Sequence, residues 1–320
     1  MRGTDASILA LSGGVGGAKL CLGLADVLPP AALHIASNTA DDFEHLGLTI
    51  CPDIDTVLYT LAGVSNQRQG WGLEGESWQV LAALESLSAD TWFRLGDRDL
   101  ATHLWRTGQL AAGCSLSTLT AELARRLGVT ARLYPMSDDR VSTVVHSDEG
   151  DLPFQHYFVR RQCQPRVGGF SFAGLAEARL QADIVALCRQ QAVSGVIICP
   201  SNPFVSVAPI LQLDGCWQLL RELRGPVLAV CPIVGGRAIK GPAAKMMAEL
   251  ALPVTALGVA EYYARHYPGL VDIFVIDHSD ATLAADIQML GMEVRVTATV
   301  MQTRADKQAL AQDCLQQVLG

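Results

Sequence analysis

Charge is scarce in this chain, and positive charge is scarcer than negative. Charged side chains make up 18% of the 320 residues, and 24 basic against 32 acidic ones give a formal net charge of -8. Nucleic-acid binding needs a dense basic surface, so we expect no nucleic-acid partner. A small anion site needs only a few cations and backbone N–H groups, and the composition does not exclude one.

The sequence also lacks long hydrophobic runs and paired cysteines. No stretch reaches the roughly 18 apolar residues of a membrane span, so we expect no membrane partner. Residues Met1–Ser7 carry no apolar segment, which predicts that no signal peptide is present. The nine cysteines occur singly and mostly in apolar runs, as Cys199 and Cys231 do. Buried, reduced thiols are typical of a cytoplasmic protein, the location that we expect.

Short apolar runs alternate with helix-like segments along most of the chain. Ile8–Leu11 and Gly195–Cys199 are typical of buried strands that are followed by helices. The alternation predicts an α/β fold with a doubly wound, mainly parallel, Rossmann-like sheet. We expect one domain over residues 1–320, with a small inserted α+β subdomain, rich in antiparallel β structure, at about 128–172. The strands predicted for this insertion are Ala131–Tyr134, Val141–His146 and Phe154–Arg160.

A glycine-rich stretch follows the first predicted strand. Its glycines are Gly13, Gly14, Gly16 and Gly17. Lys19 comes next, within a helix-like run over Ala18–Val27. Strand, glycines and helix start in this order can place backbone N–H groups against a phosphate, with the lysine as an added charge. The spacing matches neither the P-loop nor the dinucleotide-binding pattern, so an ordinary tight turn is the alternative.

Polar side chains recur directly after the predicted strands. The clusters are Asn38–Asp42, Met136–Asp139, Ser201–Asn202 and Gly235–Gly236. In a doubly wound sheet, most of them would meet at the edge where the strands end, which is where ligands bind. Lys19, Arg98 or Lys240 could neutralise phosphate oxygens at this edge. The carboxylates suit Mg²⁺, which is the cofactor that we expect.

Each of these residues also has a purely structural explanation. Paired acids such as Asp41 and Asp42 are common in turns and caps. Asp55 is placed to cap the helix that begins near it. His103 lies in the densest charged segment, Arg94–His103, where a packing role is favoured over a role as a base. The coincidence of clusters at successive strand ends is therefore stronger evidence than any one residue.

With these residues in order, the chain resembles the 2-phospho-L-lactate transferase family of coenzyme F420 biosynthesis, the CofD/FbiA type. The resemblance is carried by GGVGGAK (13–19), NTADD (38–42), CPDIDTVLY (51–59), LGDRDLATH (95–103), PMSDD (135–139), FQ (154–155), PSNP (200–203), KGPA (240–243) and GVAEY (258–262). These segments run through nearly the whole chain. One departure is Val15, where the family usually has threonine, so the glycine turn lacks one hydroxyl.

The resemblance implies a Mg²⁺-dependent transfer. A phospholactyl-type group would leave a guanosine diphosphate-linked donor, join the ribityl hydroxyl of the deazaflavin FO and release GMP. The resemblance leaves open whether the acid is 2-phospho-L-lactate, phosphoenolpyruvate or a 3-phosphoglycerate-like group. It places Asp55 and Arg94 near the deazaflavin, and the glycine turn, Asn38, Ser201 and Asn202 towards the nucleotide.

The residue types suggest a role for each candidate. Asp42 and Asp55 are the candidate catalytic carboxylates and also the candidate metal ligands. Trp71 could stack on the flat deazaflavin, and Lys19 and Arg98 could stabilise charge on the diphosphate. The expected partners are small-molecule substrates. The sequence does not decide between a monomer and a homodimer.

Two other functions are compatible with parts of the sequence. A non-catalytic nucleotide-sugar-binding regulator, of the gluconeogenesis-factor type, would share the glycine turn and the α/β core. The segments 51–59 and 94–103 favour the transferase over this regulator. An NAD(P)-dependent dehydrogenase is suggested only by the alternation of strands and helices, and the missing dinucleotide fingerprint argues against it.

Overall fold

The strand before the glycine turn, β1 (Ile8–Ser12), lies near the middle of a seven-stranded sheet in the computed structural model, which describes residues 6–320. The other strands are β2 (Leu33–Ser37), β3 (Phe43–His45), β4 (Leu48–Ile50), β5 (Arg132–Pro135), β6 (Ser142–Ser147), β7 (Gly150–Pro153), β8 (Val167–Ala173), β9 (Gly195–Ile198), β10 (Val227–Val230), β11 (Ile233–Val234), β12 (Arg237–Ala238), β13 (Ile273–Asp277) and β14 (Glu293–Thr297). The sheet order is β14-β13-β10-β9-β1-β2-β5. Every neighbouring pair in it is parallel.

Helices connect these strands and cover both faces of the sheet. The α-helices are α1 (Gly14–Val27), α2 (Pro52–Leu61), α3 (Gln79–Ser86), α4 (Asp97–Ala111), α5 (Leu116–Arg126), α6 (Ala182–Arg189), α7 (Ala208–Gln212), α8 (Cys216–Arg221), α9 (Ala243–Glu249), α10 (Ala256–His266), α11 (Ala284–Gln288) and α12 (Arg304–Leu319). Within residues 6–320, none of the helices is both long and apolar enough to cross a membrane.

Successive residues of β1 show why its sequence is apolar throughout. Leu9 and Leu11 pack into a cluster with α6 to α11, whereas Ile8 and Ala10 pack into a second cluster with α1, α2, α5 and α12. Burying one leucine or isoleucine side chain contributes about 1.5–3 kcal/mol, so a strand covered on both faces is a near-continuous apolar run. The predicted doubly wound, Rossmann-like α/β fold is confirmed.

The register of the central strands gathers three loops at one edge of the sheet. Ser12 at the end of β1 is aligned with Ser37 at the end of β2, and Leu11 is aligned with Ile198 at the end of β9. Because the three strands are parallel, the segments that follow them leave the sheet side by side. These segments are the glycine turn, residues 38–42 and residues 199–202.

The insertion differs from the sequence prediction at its start. The strand predicted at Ala131–Tyr134 as part of the antiparallel insertion is instead the edge strand β5 (Arg132–Pro135), which is parallel to β2. The antiparallel sheet consists of β7, β6 and β8 and spans residues 142–173. A short β-type run indicates a strand but does not identify its partner, because pairing with β2 joins residues far apart in sequence.

A predicted strand and a predicted helix start also need correction. Phe154–Arg160 was predicted as a strand, but His156–Arg160 forms a helical turn with Phe154 and Tyr157 buried. These two aromatics are three residues apart, which is a helical spacing. Helix α1 begins at Gly14 and not at Ala18, so most of the glycines lie in its first turn. The prediction on a signal segment concerns Met1–Ser7, of which residues 1–5 lie outside the described part.

Candidate functional site

A cavity of about 660 Å³ opens at the edge of the sheet where β1 and β9 end. Its lining contains nine of the residues predicted for the site: Gly13, Gly14, Gly16, Lys19, Asp55, Trp71, Arg94, Ser201 and Asn202. Four predicted residues do not line it: Gly17, Asn38, Asp42 and Arg98. The loops of widely separated sequence segments therefore form one continuous space, as expected from the strand ends.

The glycine turn is held tightly by its protein neighbours. The Gly13 N–H donates to Ser201 Oγ at 3.2 Å, and the Gly14 N–H donates to Asp53 Oδ1 at 2.7 Å. Gly14 has a φ of +65°, where a side chain would be strained. A side chain at Gly16 would clash with the carbonyl oxygen of Pro200. Packing therefore explains part of the glycine content, as the tight-turn alternative supposes.

The start of α1 still has the features of an anion site. The N-cap residue, Gly13, provides no side-chain cap, and the first turn contains no acidic residue, although Asp53 from α2 accepts a hydrogen bond from the Gly14 N–H. Unpaired N–H groups and the helix dipole make such an end favourable for a phosphate. Lys19 Nζ lines the cavity and donates to the Met301 carbonyl oxygen at 2.8 Å. Burial, and then the nearby charges of Lys240 and Lys307, lower the pKa of Lys19.

Three carboxyl groups lie near this turn, of which Asp41 and Asp53 are buried and Asp42 is half-buried. Asp53 accepts hydrogen bonds from Gly14 N–H and, at 2.9 Å, from Asn38 Nδ2. Burial raises the pKa of Asp53 to about 6 although both hydrogen bonds lower it. Burial and the charge of Asp53 raise the pKa of Asp41, and burial raises that of Asp42. Asn38, which is fully buried, supports Asp53 and lies behind the cavity wall.

This carboxyl cluster is the candidate position for a divalent cation. The buried Oδ1 atoms of Asp41 and Asp42 have no hydrogen-bond partner. Asp41 and Asp53 line the cavity, whereas Asp42 does not. Within residues 6–320, no group of three or more His, Cys, Asp or Glu side chains is arranged to hold a metal ion by itself. Mg²⁺ commonly binds through one or two carboxylates together with substrate phosphates, and this cluster could provide such ligands.

Asp55 belongs to a second buried network, deeper between α2 and α4. Both of its oxygens accept hydrogen bonds from Arg106, one of them at 3.0 Å. His103 lies between two carboxylates, with Nδ1 3.8 Å from Asp55 Oδ2 and Nε2 3.3 Å from Asp99 Oδ1. The Tyr59 hydroxyl donates to Asp99 Oδ1 at 2.7 Å. Asp55 thus occupies an ion pair, and the N-cap role considered for it receives no support from a capping hydrogen bond.

Charge in this network is fixed by its contacts. Burial lowers the pKa of Arg106, but the charge of Asp55 outweighs it and holds that pKa well above its usual value. Burial raises the pKa of Asp99, but the interactions with His103 and Tyr59 keep that pKa below its usual value. The network therefore presents carboxylates to the cavity, where they can accept hydrogen bonds from a ligand.

An aromatic wall faces this network. Trp71 is 40% exposed and stands edge-on to Trp78, with ring centroids 6.3 Å apart. The Arg94 guanidinium lies over the Trp78 ring at 4.6 Å. The other aromatic residues of the wall are Trp92, Phe93, Phe154 and Phe158. Such a surface is suited to a flat, apolar ring.

Sequence reasoning missed part of this site. Phe93 directly precedes Arg94, and Phe158 follows Phe154 at a helical spacing, so both had a local signal. Arg106 and Asp53 had none, because their importance comes from partners 51 and 39 residues away. Arg98 is exposed and donates to the Glu74 carbonyl oxygen. Arg98 does not line the cavity, so the structure gives no support to its predicted contact with a phosphate.

Comparison with known proteins gives consistent results over the whole chain. The family model "2-phospho-L-lactate transferase CofD" matches residues 8–315. A 2-phospho-L-lactate transferase from Methanosarcina acetivorans is 36% identical over 95% of this chain and 97% of its own length. A phosphoenolpyruvate transferase from Streptomyces griseus is also 36% identical, over 97% of each chain. A crystal structure of a UPF0052-family protein from Bacillus halodurans matches this chain with a TM-score of 0.68 and 14% sequence identity. The match covers 98% of this chain and 99% of that one, and it supports the fold alone.

Proposed function

This chain belongs to the 2-phospho-L-lactate transferase family CofD, and we propose that it acts on the deazaflavin FO in coenzyme F420 biosynthesis. In this proposal, a phospholactyl-type group moves from a guanosine diphosphate-linked donor to the ribityl hydroxyl of FO, and GMP leaves. The group is 2-phospho-L-lactate, phosphoenolpyruvate or a 3-phosphoglycerate-like acid. Similarity alone does not choose among them, because relatives of both printed names are 36% identical to this chain.

One observation carries the proposal. A single cavity joins the start of α1 and Lys19 to the aromatic wall, and Asp55 and Asp41 also line it. Transfer between a diphosphate and a hydroxyl requires both substrates in one space, held in line and away from bulk water. The first end suits an anionic diphosphate, and the aromatic end suits the deazaflavin ring.

The residues of the chain have distinct tasks in this transfer. The N–H groups of α1 and Lys19 hold the donor phosphates and stabilise charge on the departing GMP. Trp71 and Arg94 position the deazaflavin, and the Asp55 carboxylate accepts a hydrogen bond from the attacking hydroxyl. The hydroxyl oxygen forms the new P–O bond as the bond to GMP breaks, and its proton leaves through a cavity carboxylate to water.

Asp41 and Asp53 are the carboxylates best placed to hold Mg²⁺. Both line the cavity beside the glycine turn, and Asp41 has an unpartnered oxygen. Asp42 and Asp55, the candidates from sequence, are respectively outside the lining and paired with Arg106. When bound, Mg²⁺ would neutralise charge on the diphosphate.

The test is a direct product measurement. The purified protein is incubated with FO, Mg²⁺ and each of the three guanosine diphosphate-linked donors, and product mass and GMP are measured. We expect one GMP for each phosphorylated deazaflavin, with a clear preference for one donor. No such product with any donor, together with tight binding of a UDP-sugar, would favour the regulator, whereas saturable NADH binding would favour the dehydrogenase.

A further inference from the structure

Lys240 is an unpaired cation in the lining of the cavity, beside the glycine turn. It follows the β11–β12 hairpin, lines the cavity and is exposed. Within residues 6–320, it has no hydrogen bond and no ion pair. A side chain at Gly70 would clash with Lys240 Nζ and would lie 3.9 Å from Val15 Cγ1. Lys240 therefore lies where the glycine turn meets the loop that carries Trp71.

The hairpin before Lys240 is anchored to the body of the protein. The Gly235 N–H donates to Oδ2 of the buried Asp280 at 2.9 Å. Gly235 and Gly236 have φ values of +54° and +74°, which are typical of the tight turn in a two-residue hairpin. The fold thus fixes the turn of the hairpin, and Lys240 follows its second strand by two residues.

The two unpaired cations in the cavity, Lys240 and Lys19, favour the binding of an anion. Lys19 and Lys240 line the same cavity, and neither forms an ion pair with a carboxylate among the described residues. Burial, and then the nearby charge of Lys240, lower the pKa of Lys19, so the two cations are close enough to interact. The α1 N-terminus and Lys19 together already suit the diphosphate. Lys240 is therefore an additional cation that can bind a further negative group of the donor.

We propose that the Lys240 ammonium binds the carboxylate of the transferred acid. This inference rests on the proposed function. Phospholactate and phosphoenolpyruvate, the acids in the names of the relatives, both carry a carboxylate on the carbon that bears the phosphate oxygen. A donor whose diphosphate lies at the glycine turn and whose acid points to the aromatic wall would pass Val15 and Gly70, the two residues beside Lys240 Nζ. Lys240 would therefore select donors that carry an acid group and would add little for one that lacks it.

A cycle that combines a protein change with a donor change tests this role. Lys240→Met and the unchanged protein are each measured with the preferred donor and with its analogue in which a carboxamide replaces the carboxylate. We expect Lys240→Met to weaken binding of the carboxylate donor by 10-fold or more, as KM and as calorimetric Kd. With the carboxamide donor, the two proteins should agree within about 3-fold, and Lys240→Arg should recover part of the loss.

Arg237→Met is the matched control. Arg237 is an exposed cation on the same hairpin but does not line the cavity, so its loss should change neither donor affinity beyond about 3-fold. An equal penalty for Lys240→Met with both donors would overturn the proposal, because it would assign Lys240 to the diphosphate. No penalty with either donor would also overturn it. The calorimetric cycle needs no turnover, so its result is independent of whether FO is the acceptor.

Discussion

The carboxylate of Asp55 and the guanidinium of Arg106 form a two-pronged ion pair that is buried on both sides. Asp55 is 5% exposed and Arg106 is 1% exposed, and each Asp55 oxygen faces a different Arg106 nitrogen. A planar guanidinium matches a carboxylate in this way, whereas a lysine would not. The pair fixes the orientation of the carboxylate that the family resemblance places next to the acceptor.

Breaking this pair from either side should be costly for stability. Asp55→Asn leaves a buried guanidinium without its countercharge, and Arg106→Met leaves a buried carboxylate. We expect each single change to lower the free energy of unfolding by about 3–5 kcal/mol in denaturant titrations. The double variant should be less destabilised than the sum of the two, because no unpaired charge remains.

Measuring turnover of the double variant separates the role of Asp55 in the reaction from its role in stability. Asp55→Asn/Arg106→Met should remain inactive with FO although its stability partly returns, because the carboxylate that faces the cavity is missing. Fully additive stability effects would show that the two residues do not act as a pair. Recovery of turnover in the double variant would show that Asp55 is not needed at the acceptor.

The glycine turn offers a comparison between two glycines in helices. Gly16→Ala places a methyl group against the Pro200 carbonyl oxygen, whereas nothing lies within 4 Å of a Cβ at Gly108 in α4. We expect Gly16→Ala to lower the free energy of unfolding by about 1–3 kcal/mol and to weaken donor binding. Gly108→Ala should raise stability by about 0.5–1 kcal/mol and leave donor binding unchanged. Equal effects at the two positions would contradict the close contact at Gly16.

The sequence predicts the fold and the outline of the site because both follow from local patterns. The apolar run Ile8–Leu11 and the glycines after it give strand, turn and helix from neighbouring residues alone. The strand-end rule then brings the glycine turn, Ser201 and Asn202 to one edge without knowledge of any contact.

What could not be predicted depends on distant partners. Asp55 has the same local signal whether it caps α2 or pairs with Arg106, and only the packing of α4 against it decides. Arg132–Pro135 has the composition of a strand in either sheet, and its pairing with β2 decides where it belongs. Arg98 shares a charged segment with Asp99, but Asp99 lines the cavity and Arg98 does not, because the two lie on different sides of α4.

His45 should make stability depend on pH. It is 6% exposed and packs beside Trp92, with ring centroids 5.2 Å apart. Burial lowers the pKa of His45 in the folded protein, so the unfolded chain binds its proton more readily. The contribution of neutral His45 is therefore complete at a pH above the unfolded value near 6.5, and it is lost as the pH falls from that value to the lower pKa of the folded protein.

The measurement is the free energy of unfolding between pH 7.5 and pH 5, with and without His45→Gln. We expect the variant to lose less stability on acidification than the unchanged protein, since it has no proton to gain at this position. Parallel pH profiles for the unchanged protein and His45→Gln would contradict a lowered pKa at this residue.

Asp41 should couple Mg²⁺ to stability in a way that distinguishes a ligand from a structural carboxylate. Its buried carboxyl group, with a raised pKa and an unpartnered oxygen, destabilises the protein when ionised without a cation. Asp41→Asn should therefore be at least as stable as the unchanged protein in EDTA. The Mg²⁺ concentration that it needs for half-maximal turnover should rise by at least about 10-fold. Asp42→Asn, outside the cavity lining, should change that Mg²⁺ requirement much less. If Asp41 served only to hold its loop, Asp41→Asn would lose stability in EDTA and keep the ordinary Mg²⁺ requirement, the reverse of the expected result.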